Sequence, residues 1–110
     1  MNIDEYQDRA RSTKIYSDDH KIIYPTLGLV GETGEVAECV KKLIRDKNGV
    51  KNILPEDLLK LTMEVSDVCW YLANLCSDLN LKLSDVFAMN LQKLADRQAR
   101  GKLGGSGSNR

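Results

Sequence analysis

Two short segments of this chain carry pairs of carboxylates, and their spacing restricts how the chain can fold. The acids lie three residues apart in both segments: Glu32 and Glu35 in the first, Glu64 and Asp67 in the second. On an α-helix this spacing places two side chains on one face, about 60° apart around the axis. Two such helices side by side would bring all four acids together. Because four uncompensated carboxylates repel one another strongly, a cation is expected between them.

Apolar residues at helical steps surround both pairs of acids and form a stripe along each predicted helix. In each stripe, one position is occupied by an acid. The stripes are Leu29, Glu32, Val36, Val40 and Leu43, and Leu61, Glu64, Val68, Leu72 and Leu75. Such stripes face the core of a helical protein, so Glu32 and Glu64 are predicted at a helix contact. A simpler interpretation remains open, since 16 of the 110 residues are acidic. In that interpretation both segments are solvated faces that happen to carry acids.

Oxygen ligands alone favour a hard divalent cation, Mg²⁺ before Mn²⁺. Mg²⁺ held by a few carboxylates usually serves a substrate that bears phosphate. We therefore predict a magnesium site whose ligands come from both segments: Glu32, Glu35, Glu64 and Asp67.

Helical periodicity dominates the chain and predicts an all-α fold with four helices. The predicted helices cover residues 3–16, Pro25 to about Arg45, Pro55 to about Leu79, and Ser84, as N-cap, to about Arg100. Gly101 is the expected stop of the last helix. The short connections favour an antiparallel four-helix bundle. Three glycines at helical steps predict a smooth strip where another helix approaches closely: Gly28, Gly31 and Gly34.

Length indicates one domain, residues 1–100, followed by a Gly/Ser-rich tail, residues 101–110. A chain of this size buries a modest core, and its third helix is apolar on more than one side. We therefore expect dimerisation to complete the bundle, as a homodimer or a dimer of dimers.

Charge and cysteine usage exclude some classes of protein. Lys plus Arg equals Asp plus Glu at 16 each, which argues against a nucleic-acid polymer as partner. Three cysteines at apolar helical positions predict free, buried thiols in a reducing compartment: Cys39, Cys69 and Cys76. We find no signal peptide and no apolar run that could cross a bilayer, so we expect a cytoplasmic protein without a membrane partner.

Residues 27–38 followed by residues 64–75 resemble the MazG family of all-α nucleoside triphosphate pyrophosphohydrolases. The mark of that family is E-x-x-E, a spacer, then E-x-x-D; the spacer here is the 28 residues from 36 to 63. Residues 89–97 and 104–110 also resemble small single-domain members, so the resemblance spans about residues 6–110. It implies Mg²⁺-dependent hydrolysis of a (deoxy)nucleoside triphosphate to monophosphate and pyrophosphate, in nucleotide-pool house-cleaning or regulation. Mn²⁺ is a possible substitute.

The resemblance also suggests roles for individual residues. Glu35 and Glu38 are the candidate catalytic residues, because a carboxylate beside the metal can orient the attacking water. Candidate substrate-binding residues are Lys93, Arg97, Asn90, Trp70, Tyr71 and Asn74. In the tail, Lys102 and Arg110 could close over phosphates. The single histidine, His20, fits a surface position better than a catalytic one.

Two alternatives remain at this stage. One is a non-catalytic helical module that binds a partner through its apolar third helix. The other is a related phosphoribosyl-ATP-type pyrophosphohydrolase, which shares the fold and also uses carboxylate-rich helices.

Overall fold

A computed structural model describes residues 1–105 of the chain. Over these residues it contains four α-helices, two 3₁₀ turns and no strand. The helices are α1 (Ile3–Arg11), α2 (Ile23–Lys47), α3 (Pro55–Asp78) and α4 (Leu83–Ala99), and the turns are Asp18–His20 and Val50–Asn52. The prediction of an all-α fold is confirmed for this part of the chain.

Helices α2 and α3 form an antiparallel pair that makes the most extensive helix contact of the fold. All ten positions of the two predicted stripes are buried or half-buried. At one end of the pair, the Lys47 Nζ atom lies 2.6 Å from Asp57 Oδ2. At the other end, the Tyr71 ring lies against Gly28. The apolar stripes therefore pack as predicted, with the acids inside the seam.

Helices α1 and α4 are attached at the carboxyl end of α3. The Gln7 amide donates to Ser77 Oγ at 3.0 Å and to the Leu81 carbonyl at 2.9 Å. Its oxygen accepts from the Leu83 N–H at 2.8 Å, so one side chain joins three elements. A small apolar core lies beside this contact: Ala10, Ala73, Cys76 and Leu83.

Several helix ends differ from the predictions. Helix α1 ends at Arg11, where the Ser12 and Thr13 hydroxyls donate back to backbone carbonyls and compete with helix continuation. Helix α4 begins after Lys82 rather than Ser84, and the Ser84 hydroxyl donates to Asp4 instead of capping the helix. Gly101 has φ +68° just past the end of α4, which confirms its role as a stop.

The glycine strip is confirmed at one position only. A Cβ atom at Gly28 would lie 2.1 Å from the Tyr71 ring, whereas a Cβ at Gly31 or Gly34 would meet no atom within 4 Å. Only Gly28 is therefore needed for close helix packing.

The cysteine prediction is partly wrong. Cys76 is buried and Cys39 half-buried, but Cys69 is exposed, because its side of α3 faces an open groove rather than α2.

Much apolar surface is left uncovered by the single chain. Over residues 88–99 of α4, every side chain except that of Arg97 is exposed, including three large apolar ones: Met89, Leu91 and Leu94. On α3, Leu58, Leu59 and Met63 are more than half exposed. The radius of gyration is 16.9 Å, against about 13 Å for a compact domain of this size.

Within residues 1–105, no helix has the length and apolar character needed to cross a bilayer.

A buried carboxylate joins the ends of α1 and α3 to the segment before α2. The Asp78 side chain is fully buried and accepts hydrogen bonds from Arg11 at 2.6 Å, Tyr16 at 2.9 Å and the Ile22 N–H at 2.9 Å. Burial opposes its ionisation, but the hydrogen bonds from Ile22, Arg11 and Tyr16 outweigh this effect and hold the pKa of Asp78 below its ordinary value.

We predict that Asp78→Asn destabilises the protein by on the order of 3 kcal/mol at pH 7, because it leaves Arg11 without its buried partner. Since the pKa of Asp78 is lowered on folding, its charge stabilises the native state above the unfolded pKa. The difference in free energy of unfolding should therefore shrink as pH falls through the folded pKa of Asp78. Urea unfolding of both proteins across a pH series would measure it; a difference that stays constant to low pH would contradict the assignment.

Candidate metal centre

Three of the four predicted metal ligands meet at the contact between α2 and α3. Glu32 from α2 and Glu64 and Asp67 from α3 each place one carboxylate oxygen within 4.8 Å of the others. Glu32 and Glu64 are half-buried and Asp67 is exposed, so the group lies at the open edge of the helix contact. Each acid is held by an α-helix, which fixes the separation of the side chains.

The electrostatics of this group are those of uncompensated negative charge. The pKa of Glu32 is raised, first by partial burial and then by the carboxylates of Asp67, Glu64 and Glu35. In the part of the chain that the structure describes, none of these four acids forms an ion pair with a Lys or Arg. Among residues 1–105, the protein therefore assembles negative charge here without pairing these acids to a Lys or Arg side chain.

The donor set and its spacing fit a small divalent cation. Mg²⁺ binds oxygen at 2.0–2.1 Å in octahedral geometry, so two oxygens that share the ion lie about 2.9–4.2 Å apart. The three oxygens within 4.8 Å of one another need only small rotations to reach that range. Carboxylate oxygens are also the ligands that Mg²⁺ and Mn²⁺ prefer, which makes Glu32, Glu64 and Asp67 a suitable site for either.

Two further acids of α2, Glu35 and Glu38, lie progressively further from this group. Glu35 is exposed and outside the three-oxygen group, although its charge contributes to the raised pKa of Glu32. Glu38 is exposed and binds Lys41 at 2.9 Å, and this hydrogen bond and charge lower the pKa of Glu38. Each step of three residues turns a side chain about 60° around the helix, which explains this order.

Two of the predicted substrate-binding residues flank the acids. Burial is the main cause of the raised pKa of Tyr71, and Tyr24 and the charges of Glu32 and Asp67 add to it. The Trp70 ring meets the Tyr71 ring edge-on at 5.0 Å. The indole N–H donates to the Thr13 hydroxyl at 2.7 Å, so the ring is fixed against the end of α1.

The remaining predicted substrate-binding residues have different surroundings. Asn74 is fully buried, donates to the Trp70 carbonyl at 3.1 Å and accepts from Arg11 at 3.3 Å. Asn90 and Lys93 are exposed on α4, while Arg97 is 7% exposed. Within residues 1–105, Asn90 and Lys93 make no hydrogen bond to the acids. Roles in substrate binding stay a prediction for all six residues. The predicted role of the tail residue Arg110 lies outside the described residues.

Sequence reasoning did not single out Tyr24 or Asp78. Tyr24 lies between Tyr16 and Tyr71: it stacks on Tyr16 with ring centroids 4.7 Å apart and is tilted by 39° against Tyr71 at 6.3 Å. A signal for Asp78 was available, because Asp67, Tyr71, Asn74 and Asp78 follow helical steps of four, three and four along α3. They form a polar line along one side of α3.

Comparison with known proteins identifies the family of this chain. The family model of the MazG nucleotide pyrophosphohydrolase domain matches residues 24–101, a range that contains all four predicted metal ligands. The chain belongs to this family. It is 45% identical over 116 aligned residues to the Gene 37 protein of Mycobacterium phage L5, and the alignment covers the full length of both chains. No solved structure gives a significant match.

We predict that Glu32→Gln stabilises the metal-free protein at pH 7 by on the order of 0.5 kcal/mol, because it removes one of several like charges. Since the pKa of Glu32 is raised on folding, this gain should disappear as pH falls below the unfolded pKa, where both proteins are neutral at residue 32. Saturating Mg²⁺ should reverse this order and make the wild type the more stable protein. At 100 times its Kd, a bound ligand adds about 2.7 kcal/mol to the free energy of unfolding of the wild type. Thermal melting with EDTA or Mg²⁺ would measure both effects, and a variant that melts below the wild type in EDTA would contradict the prediction.

Proposed function

We propose that the protein hydrolyses a nucleoside or deoxynucleoside triphosphate to the monophosphate and pyrophosphate, with Mg²⁺ as cofactor and Mn²⁺ as a possible substitute. The observation that carries this proposal is the group of three converging carboxylates, which have no Lys or Arg ion-pair partner within residues 1–105, in a chain of the nucleotide pyrophosphohydrolase family. The substrate is a polyanion, so an acidic site can accept it only together with cations.

Glu32, Glu64 and Asp67 would hold the metal, and Glu35 would join them by a change of rotamer. When bound, the cation would neutralise phosphate oxygens and stabilise the charge that develops on them during hydrolysis. The rigid α2–α3 pair would keep the carboxylate oxygens in place, so little reorganisation would be needed during the reaction.

Glu35 is the better placed of the two proposed catalytic carboxylates. It is exposed beside Glu32 and makes no ion pair in the described part of the chain, so it is available to accept a proton from water. The water oxygen would bond to phosphorus while one P–O bond of the α–β anhydride breaks and pyrophosphate leaves. Glu38 would have to break its ion pair with Lys41 before it could take part in the reaction. Its proposed role is that of an additional metal ligand or an alternative general base.

Tyr71 and Trp70 would contact the base or sugar, because they form an aromatic surface next to the acids. Lys93 and Arg97, with Asn90, would contribute positive charge and hydrogen bonds to the phosphates. Asn74 would act from beneath this surface, through its hydrogen bond to the Trp70 carbonyl.

The apolar surface left uncovered on α3 and α4 supports dimerisation. Large apolar side chains on both helices are more than half exposed: Leu58, Leu59, Met63, Met89 and Leu91. Pairing two copies would remove these side chains from water and give a more compact particle than the single chain.

We predict that Glu35→Gln and Asp67→Asn each keep the helical fold but reduce turnover by on the order of 100-fold or more, because each removes a carboxylate from the reacting site. Pyrophosphate release from a panel of nucleoside triphosphates with Mg²⁺ measures the effect. Glu56→Gln is a matched control, since Glu56 is an exposed acid in the first turn of α3, eight residues before Glu64 and outside the three-oxygen group. Equal activity in all three variants would refute the site assignment.

A second measurement separates the enzyme from a non-catalytic interaction module. Mg²⁺ together with a non-hydrolysable triphosphate analogue should raise the melting temperature of the wild type, by mass action on the native state. The same additions should leave Asp67→Asn nearly unchanged. If neither protein responds, the module is favoured.

We predict that the wild type sediments as a dimer or larger and that Leu91→Glu shifts it toward the monomer. A charge at this position would be costly at an apolar interface but harmless on a free surface. Analytical ultracentrifugation over a concentration series measures the shift. A monomeric wild type would contradict this part of the proposal.

A further inference from the structure

Helix α2, which carries Glu32, begins on a strained backbone turn. Ile22 has φ +70° and ψ −51°, and the Ile23 N–H donates to the Lys21 carbonyl at 2.7 Å. This is the conformation of a classic γ-turn, which is rare and disfavoured for a β-branched residue. Such a turn persists only where surrounding contacts hold it.

The contact that holds this turn comes from α3. Asp78 accepts the Ile22 N–H at 2.9 Å and, with the same oxygen, the Tyr16 hydroxyl at 2.9 Å. Its other oxygen binds Arg11 at 2.6 Å. The start of α2 is therefore fixed relative to α3 by a fully buried carboxylate.

A stack of rings connects this contact to the acids. Tyr16 stacks on Tyr24 with centroids 4.7 Å apart and planes 19° apart, and Tyr24 lies 6.3 Å from Tyr71. The Tyr71 ring fills the space that a side chain at Gly28 would need. Gly28 is four residues before Glu32 and Tyr71 four residues after Asp67, so this contact sets the helix separation one turn from the acids.

We propose that Asp78 is a positioning residue for the metal centre. It holds the start of α2 and the Tyr16–Tyr24–Tyr71 stack, and so fixes how closely α2 brings Glu32 to Glu64 and Asp67. This inference rests on the proposed function only in requiring that the acids bind a divalent cation. If the inference is correct, Asp78 affects the affinity of the protein for the metal. A residue needed only for folding would have no such effect.

The test is the affinity of the folded, nucleotide-free protein for Mn²⁺, measured from the free-ion EPR signal. Loss of a residue that supports metal ligands typically weakens metal binding by about 10–100-fold. We expect a loss of about tenfold or more in Asp78→Asn. Tyr24→Leu should show the same direction of change; it breaks the ring stack without removing a buried charge, so it serves as a second variant if Asp78→Asn does not fold.

Gln7→Ala is the matched control for general destabilisation. Gln7 also makes three hydrogen bonds, which join α1 to the end of α3, to the loop that follows and to the start of α4, but none of them involves the ring stack. We expect its melting temperature to fall while its Mn²⁺ affinity stays at the wild-type value. All affinities are measured well below the melting temperature of each variant.

The outcomes are distinct. Weak Mn²⁺ binding in Asp78→Asn or Tyr24→Leu with normal binding in Gln7→Ala supports the positioning role. Normal binding in the folded variants, or an equal loss in Gln7→Ala, overturns it and leaves the proposed function intact. A wild type that does not bind Mn²⁺ overturns the metal centre itself.

Discussion

Repulsion between carboxylates on facing helices is the constraint around which this small protein is organised. Glu32 stands in an apolar stripe of α2, where burial and the charges of Asp67, Glu64 and Glu35 all raise its pKa. Apolar side chains at those stripe positions would stabilise the helix pair better. The chain instead keeps acids at the seam and provides no Lys or Arg partner among residues 1–105, an arrangement that a bound divalent cation would relieve.

The rest of the fold holds the two helices in place against that repulsion. Apolar stripes close the α2–α3 pair along its length, the Lys47–Asp57 ion pair fixes one end, and the Gly28–Tyr71 contact fixes the other. Beyond the second end, Asp78 ties the strained turn at Ile22 to α3. Contacts at both ends therefore hold α2 and α3 in a fixed arrangement. This suits a site that must keep three carboxylate oxygens close together before a cation binds.

Local patterns in the sequence predicted much of this arrangement. Helix period and Pro25 and Pro55 located α2 and α3 to within about two residues, and the stripe positions of Glu32 and Glu64 predicted their half-buried contact. Spacing placed Glu35 with the other three acids, but a step of three turns its side chain about 60° away from Glu32, and Glu35 lies outside the three-oxygen group. On α3 the same step of three residues, from Glu64 to Asp67, leaves Asp67 within the three-oxygen group, because that group lies at the edge of the helix contact.

Other features depended on contacts between distant parts of the chain. No local pattern in the sequence indicated that Arg11 binds Asp78, 67 residues later. The early end of α1 follows from the same contact, because Tyr16 must leave the helix to reach Asp78. Ser84 resembled a helix cap, but its hydroxyl binds Asp4, 80 residues earlier. Pairings of this kind are set by the tertiary fold and leave no periodic signal.

Anomalous scattering from a crystal grown with Mn²⁺ is the most direct test of the central claim. We predict a peak between α2 and α3 within coordinating distance of one oxygen each from Glu32, Glu64 and Asp67. A map with no peak there, or with Mn²⁺ bound only to other surface acids, would contradict the claim that these carboxylates form a metal centre.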